Sequence, residues 1–153
     1  MAIEINYLTP LIQVFNMPRS LAFYRDVLGF EVVMDSGNGD DSSWVWLQLN
    51  GFNLMLNDQY EPGHVPEAPP PERTKWHSDM CLYFGSPDTD AAYEYLRSKG
   101  VELKPPVITS YGMKQLYLHD PDAYNLCFQQ PAPAEGSIAT VGEKRDVVSI
   151  DPS

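Results

Sequence analysis

Two cysteines and three histidines are the residues of this 153-residue chain best suited to nucleophilic or metal chemistry. His64 lies in a proline-rich stretch, His77 immediately precedes a predicted strand, and His119 stands beside an aspartate at a turn. A metal site needs about three or four convergent ligands, and the spacing of these histidines offers no such set. We interpret them as surface or turn residues. No Ser-His-Asp spacing suggests a catalytic triad, and no glycine-rich loop suggests phosphate binding.

The two cysteines, Cys81 and Cys127, fall on predicted strands. They do not form a disulfide framework, and their number fits a protein of a reducing compartment. We interpret both as small buried hydrophobic residues. If they are neighbours on adjacent strands, a soft-metal or redox pair is the alternative.

The dipeptide Asn50-Gly51 predicts how the strands around it are paired. A two-residue Asn-Gly turn places Leu49 opposite Phe52, and the pairing continues in register away from the turn. Because side chains alternate across a sheet, one face of this hairpin is wholly apolar and is predicted to pack on a helix. That face comprises Val45, Leu47, Leu49, Phe52, Leu54 and Leu56.

The opposite face of the hairpin carries large aromatic side chains and neutral amides. In the second half of the chain the same alternation assigns Met80, Leu82 and Phe84 to the core. Collected over the strands, the second faces form a concavity without carboxylates or imidazoles. The predicted ligand-binding residues on it are Thr9, Leu11, Gln13, Trp44, Trp46, Gln48, Asn53, Met55, Cys81, Tyr83, Gln115, Tyr117 and Cys127.

A short unit of one helix and several strands occurs twice in the chain. The run 20–30, SLAFYRDVLGF, is echoed about 72 residues later by 92–101, AYEYLRSKGV. Each copy is an amphipathic helix that ends at a glycine, Gly29 or Gly100, where a left-handed residue would sit. A strand is predicted to begin at the residue after each glycine.

These segments resemble the vicinal oxygen chelate superfamily, which includes glyoxalase I, bleomycin resistance proteins and extradiol dioxygenases. The matching pieces are PLIQVFNMPRSLAFYRDVLGF, LQLNGFNLML, PDTDAAYEYLRSKGVEL and YGMKQLYLHDPDAYNLCF, within roughly 8–129. The resemblance implies an α+β fold of paired βαβββ modules, whose curved mixed sheets enclose a ligand groove. We expect one domain at 1–130, with module one at 8–59, an irregular proline-rich linker at 60–76 and module two at 77–130, then a C-terminal tail at 131–153.

The metal-dependent enzymes of that superfamily hold a divalent metal through a His, Gln or Glu on the first strand of each module and an acid on the last. The resemblance projects these positions onto Thr9, Met55, Cys81 and Cys127. The same 72-residue offset separates Thr9 from Cys81 and Met55 from Cys127. None of the four is a hard oxygen or imidazole ligand of the expected kind. We therefore predict no metal, no cofactor and no catalytic residue.

The composition limits the partners of the chain. A formal net charge of −11 repels phosphate backbones and anionic membranes, so we expect neither nucleic acid nor a membrane as a partner. No apolar run is long enough to span a bilayer, and no signal-peptide pattern opens the sequence. We expect a cytoplasmic protein.

The favoured function is that of a metal-independent small-molecule-binding protein resembling the bleomycin resistance branch. It would be a homodimer that sequesters an aromatic or cationic ligand in a dimer groove. Pro10 stands where that branch places a proline associated with strand exchange, here through 8–15. Trp44 and Trp46 would stack on the ligand, for about 0.5 to 2 kcal/mol each, or would instead fill the dimer interface. The alternatives are a metal-dependent glyoxalase- or dioxygenase-type enzyme with a non-standard site, or a purely interactive module.

Overall fold

The structure is a computed structural model that describes residues 2–60 and 63–134. Its contacts divide the chain into two compact units, Met1–Pro70 and Pro71–Ser153. The division falls inside the predicted linker. Beyond residue 134, the predicted C-terminal tail lies outside the described residues.

The first unit is a four-stranded mixed sheet with one helix, α1, of residues Met17–Tyr24. The strands are β1 (Leu11–Val14), β2 (Glu31–Asp35), β3 (Trp44–Leu49) and β4 (Phe52–Asp58), with a 3-10 turn at Gly39–Asp41. The sheet order is β1-β4-β3-β2, in which β1 runs parallel to β4 and the other neighbours are antiparallel.

The second unit repeats this topology. Its elements are α2 (Pro71–Thr74), a 3-10 turn (His77–Asp79), β5 (Cys81–Gly85), α3 (Thr89–Ser98), β6 (Val107–Ile108), β7 (Met113–His119) and β8 (Asn125–Pro131). The sheet order is β5-β8-β7-β6, with a parallel pair of β5 and β8. Both units follow the order βαβββ, so the predicted α+β fold of paired modules is confirmed.

The ends of α1 and α3 are fixed by their own sequence. The side chains of Asn16 and Asp88 cap the two N-termini, each accepting a hydrogen bond from a backbone N–H three residues on, at 3.0 and 2.9 Å. Gly29 and Gly100 have φ of 92° and 81°, the left-handed conformation predicted for them. No helix in residues 2–60 and 63–134 is long and apolar enough to cross a membrane.

The predicted register of the β3–β4 hairpin is confirmed at every pair. Leu49 lies opposite Phe52 and Trp44 lies opposite Asn57, and both turn residues, Asn50 and Gly51, have positive φ. The alternation produces a dry core on the face toward α1, because burying apolar side chains there removes them from water. Its fully buried members include Val45, Leu47, Leu56, Val14, Met17 and Leu21.

Two residues predicted for the core are exposed. Phe52 is 75% exposed, whereas Leu54, two residues along the same face, is buried. Phe52 adjoins the turn, so the cover of the apolar face ends before the hairpin tip. Met80 is 40% exposed because it follows the 3-10 turn and precedes β5, and Leu82 and Phe84 are only half-buried.

The prediction of a strand beginning at Val101 is wrong. The segment 101–106 has no regular structure, and β6 comprises only Val107–Ile108. Pro105 and Pro106 explain the difference, because proline has no N–H to donate to a sheet. The counterpart strand in the first unit, β2, has no proline and forms over five residues.

The linker predicted to be irregular contains a helical turn, α2. Pro71 is its first residue, where the missing N–H of proline is not needed. Downstream, the Arg73 guanidinium lies 3.9 Å from the buried Asp122 carboxylate. The ring of His77 stacks on Tyr124 at 3.9 Å between centroids. These contacts hold the last part of the linker on the β7–β8 turn.

The edge strand β2 contains an irregularity in its pairing with β3. Val32 pairs with Leu47 and Met34 pairs with Trp46, so one residue, Val33, is left without a partner position. Such a bulge bends the strand and interrupts the regular ladder. Val33 and Met34 are both exposed.

The different environments of Leu47 and Phe52 give a stability test. Leu47→Ala removes a fully buried side chain and is expected to lower the free energy of unfolding by about 2 to 5 kcal/mol. Phe52→Ala, on the same face, is expected to change it by less than about 0.5 kcal/mol, since the ring is exposed. Urea unfolding followed by circular dichroism measures both. Equal losses would show that the hairpin tip is packed.

Candidate functional site

The second face of the first unit is built on two tryptophans of β3. Because Val45 and Leu47 point to the core, the residues that alternate with them, Trp44 and Trp46, lie on the other face, where they are half-buried. Their rings meet edge to face, with centroids 6.5 Å apart and planes at 70°. The first-unit face, as we call it, comprises Leu11, Gln13, Trp44, Trp46, Gln48, Asn53, Met55 and Asn57.

The amide of Asn53 fixes the indole of Trp46. Its Oδ1 accepts hydrogen bonds from Trp46 Nε1 at 3.0 Å and from Gln48 Nε2 at 3.2 Å. The cross-strand pairing of Gln48 with Asn53 makes both contacts possible. The indole of Trp46 is thus held in place by a neighbouring side chain, and the flat side of the ring remains available for stacking.

Leu11 lies at the β1 edge of the first-unit face, and Thr9 precedes it by two residues. Leu11 pairs with Met55 and is exposed, and the Met55 N–H donates to the Pro10 carbonyl at 2.9 Å. The hydroxyl of Thr9 is buried and has no hydrogen-bond partner among the described residues. A buried polar atom of this kind is usually satisfied by water or by a ligand.

The second unit presents a face of phenols, amides and thiols. Cys127 pairs with Tyr83 across the parallel strands and with Tyr117 across the antiparallel ones. The rings of Tyr83 and Tyr117 meet edge to face at 6.5 Å, and their hydroxyl oxygens are 3.1 Å apart. The second-unit face, as we call it, comprises Cys81, Tyr83, Tyr111, Gln115, Tyr117, Cys127 and Gln129.

Gln115 is the centre of the hydrogen bonds on the second-unit face. Its Oε1 accepts from the hydroxyls of Tyr117 and Tyr111, at 2.9 and 3.1 Å, and its Nε2 donates to Gln129 Oε1 at 3.0 Å. Gln115 and Cys127 are buried, whereas Tyr83 is exposed. Of these three residues, Tyr83 is therefore the one that is accessible to a ligand.

The two thiols of this face are protonated at neutral pH. Burial raises the pKa of Cys127 to about 12 and also raises the pKa of Cys81 above its ordinary value. Both cysteines are free. A protonated thiol is a poor nucleophile, so the face does not favour nucleophilic chemistry by these cysteines.

The four positions projected for a metal do not fit a divalent ion. Thr9 and Met55 offer a hydroxyl and a thioether, and Cys81 and Cys127 offer thiols. Hard divalent ions prefer carboxylate, carbonyl and imidazole ligands. In the described part of the chain, no three His, Cys, Asp or Glu residues converge. We assign no chemistry to a metal here.

The histidines occupy the kinds of position predicted from the sequence. His64 and His119 are exposed, and His77 lies half-buried on the ring of Tyr124. His77 Nδ1 is 2.6 Å from the Asp122 carbonyl oxygen, to which it donates. This histidine thus joins the linker to the β7–β8 turn.

A separate cavity of about 380 Å³ lies on the helix side of the first sheet. Its apolar wall includes Leu21 and Phe30, and its rim includes Arg25 and Asp40. The guanidinium of Arg25 is held by Asp26 and Asp40, at 2.8 and 2.7 Å. Two carboxylates already neutralise this cation, so the cavity offers little attraction to an anion.

The predicted site residues are brought together in two groups, one in each unit. The members from Thr9 to Met55 lie on or beside the first-unit face, and those from Cys81 to Cys127 lie on the second-unit face. The predicted ligand-binding set omitted Asn57, Tyr111 and Gln129. Strand alternation places Asn57 and Gln129 on these faces, whereas nothing in the sequence indicated that the loop residue Tyr111 reaches Gln115.

Comparison with known proteins identifies the fold family. The sequence matches the Glyoxalase/Bleomycin resistance protein/Dioxygenase superfamily over residues 4–128. The chain belongs to this superfamily. The match spans both βαβββ units, in agreement with the duplicated topology. No curated protein sequence matches the chain.

Solved structures of other proteins share the fold. A glyoxalase/bleomycin resistance protein from Streptomyces sp. CB03234 is 22% identical, with a TM-score of 0.57 over 80% of this chain and 97% of that one. A glyoxalase family protein from Enterococcus faecalis is 23% identical, with a TM-score of 0.58 over 83% and 97%. A virulence protein from Salmonella typhimurium is 20% identical, with a TM-score of 0.61 over 86% and 100%. At these identities the likeness extends to the fold alone.

The raised pKa values of the cysteines predict slow alkylation. In the native protein at pH 7, iodoacetamide is expected to modify Cys127 at least about tenfold more slowly than in the urea-unfolded protein, with Cys81 in between. The protonated thiol of Cys127 is favoured in the folded state. Its contribution to the stability of the fold is complete below pH 9 and is lost as the pH rises toward the raised pKa of about 12. Mass spectrometry of digested samples measures both sites. Equal rates in native and unfolded protein would contradict the burial of these thiols.

Proposed function

We propose that this protein is a metal-independent small-molecule-binding protein, similar to the bleomycin resistance members of its superfamily. It sequesters an aromatic or cationic ligand in the groove of a homodimer. The ligand-contacting surfaces are the first-unit face, with Thr9 beside it, and the second-unit face. Gln115 and Cys127 are buried and support the second-unit face, whereas Tyr83 is exposed and contacts the ligand.

The observation that carries this proposal is the fixed indole of Trp46 beside Trp44. Asn53 holds the ring through a hydrogen bond, so little side-chain freedom is lost when a ligand stacks on it. Flat aromatic faces attract heteroaromatic rings and cations, for about 0.5 to 2 kcal/mol per contact. The side chains around the two rings are amides and a thioether, which give shape and hydrogen bonds without charge.

The chemistry of the remaining groups supports binding over catalysis. A general base or nucleophile needs a pKa near the working pH, whereas the thiols of Cys81 and Cys127 have raised pKa values. The unpartnered hydroxyl of Thr9 supports a ligand with a polar group at that position, because pairing it removes the penalty of its burial.

The net charge supports a role in attracting cations. At −11 the protein raises the local concentration of a cationic compound. The two free cysteines support a cytoplasmic location, where thiols remain reduced.

Exposed apolar side chains near the N-terminus support a homodimer. Ile3 is 88% exposed, and Ile5, Tyr7 and Leu8 are nearly as open. Contiguous exposed apolar residues commonly mark an interface between subunits. They precede β1, so they also support the strand exchange proposed for 8–15.

Thermal-shift screening tests the proposal as a whole. The panel contains neutral aromatic compounds, cationic aromatic antibiotics and divalent transition metals, since a specific ligand stabilises the folded state by mass action. Stabilisation by aromatic compounds alone is the expected result. A stoichiometric transition metal in protein purified without chelator would overturn it in favour of an enzyme.

Trp46→Ala is expected to weaken binding of an aromatic compound from this screen by about 1 to 3 kcal/mol, because the substitution removes the stacking surface. Trp76→Ala is the matched control. Trp76 is also a tryptophan and is more exposed than Trp46, but it lies in the linker region beside Lys75, and its loss is expected to leave affinity within about twofold. Isothermal titration calorimetry measures both, with urea unfolding to verify the fold. Equal losses in the two variants would remove the first-unit face from the proposal.

Light scattering at micromolar concentration is expected to give twice the mass of one chain. Leu8→Asp is expected to shift the equilibrium toward monomer by about tenfold or more, because it places a charge in the proposed interface. Val33→Asp, which charges an exposed apolar residue on the opposite edge of the sheet, is expected to leave the mass unchanged. A monomeric wild-type protein would contradict the dimer.

A further inference from the structure

The hydrogen bonds of the second-unit face run in a fixed direction. An amide oxygen can only accept, so the hydroxyls of Tyr117 and Tyr111 must both donate to Gln115 Oε1. A phenol has a single proton, and Tyr117 has used it. In the 3.1 Å contact between Tyr83 and Tyr117, the proton must therefore come from Tyr83.

This direction determines what the face offers to a ligand. Tyr83 and Tyr111 each donate their hydroxyl proton to a neighbouring residue of the face. Each therefore presents only the lone pairs of its oxygen to a ligand. At the other end of the chain of hydrogen bonds, Gln115 donates to Gln129 Oε1. Gln129 Oε1 is the last acceptor in this chain of hydrogen bonds. A phenol in water both donates and accepts hydrogen bonds, whereas the hydroxyls of Tyr83 and Tyr111 can only accept one from a ligand.

We propose that the second-unit face selects aromatic ligands that carry hydrogen-bond donors, either hydroxyl or N–H groups, over ligands of the same shape that carry only ethers. The selecting residue is Tyr83, which is 46% exposed. A ligand that covers its oxygen without donating leaves that acceptor unsatisfied, which is unfavourable relative to water. This inference rests on the proposed function, because it specifies the chemistry of the ligand bound there.

The burial of Gln115 keeps the direction fixed. It is a buried residue of β7, opposite Gln129 of β8, and its Oε1 accepts hydrogen bonds from two phenols at once. Reversing the network would require the amides of both Gln115 and Gln129 to turn over together, and Tyr83 would then donate outward. The two directions predict opposite preferences, so binding measurements distinguish them.

Equilibrium dialysis with naphthalene, 1-methoxynaphthalene and 1-naphthol tests the proposal. The probes share one ring system and differ in whether they carry no polar group, an acceptor only, or a donor. The full-length wild-type protein is expected to bind 1-naphthol about three- to tenfold more tightly than 1-methoxynaphthalene, the range given by one additional hydrogen bond. Naphthalene is expected to bind about as tightly as the ether.

Tyr83→Phe is expected to reduce the preference for 1-naphthol to about twofold or less, because it deletes the acceptor and leaves the ring. Tyr95→Phe is the matched control. Tyr95 is a tyrosine of equal exposure, 46%, on α3 in the same unit, and its substitution is expected to leave the preference intact. Gln115→Leu is expected to weaken the preference with all three phenols still present, because it removes the acceptor that fixes the proton of Tyr117. Thermal unfolding verifies that each variant is folded.

The outcomes separate this inference from the proposed function. If naphthalene, its ether and 1-naphthol bind equally, or if the ether binds best, donor selection is overturned while small-molecule binding stands. If none of the probes binds up to its solubility, the proposed function fails for aromatic ligands, and the inference fails with it. A preference that survives in folded Tyr83→Phe protein would remove Tyr83 as the selecting residue.

Discussion

The left-handed turn at Asn50-Gly51 is the constraint on which the first unit depends. Two consecutive residues with positive φ allow the chain to reverse over two positions, and this reversal sets the partner of every residue in β3 and β4. Because side chains alternate, a shift of one residue would expose Leu47 and bury Trp46. The pairing register of this hairpin therefore determines both which residues form the core and which residues form the candidate site.

The second unit solves the same topology with different chemistry. Its sheet has the same strand order, but its second face is made of phenols, amides and thiols where the first has indoles, amides and a thioether. The core side is also less completely covered, since Leu82 and Phe84 are half-buried. Duplication has preserved the backbone pattern and left the side chains free to differ.

Local chemistry explains which features could be predicted from the sequence. The caps, the glycine stops at Gly29 and Gly100 and the hairpin register depend on residues close together in the chain, so their rules transfer directly. The extent of burial does not. Phe52 obeys the alternation and is still exposed, because burial depends on how far a covering element extends.

The candidate site shows the same limit. Alternation assigned Gln115, Tyr117 and Gln129 to one face, but the order in which they exchange protons depends on side-chain conformations. Tyr111 joins them from a loop, where no periodicity applies. The short β6 is the one element that the repeat misplaced, and two prolines account for it.

The bulge in β2 affects the concentration that this protein can reach without polymerising through its sheet edges. An agent that neutralises a compound by holding it must be as abundant as that compound, since each copy removes only one or two molecules at a time. Abundance makes exposed sheet edges hazardous, because they template the addition of further strands. Val33 interrupts that edge, and Glu31 and Asp35 flank it with negative charge. Together with the net charge of −11, this edge resists open-ended polymerisation at the high concentrations that the proposed stoichiometric capture would demand.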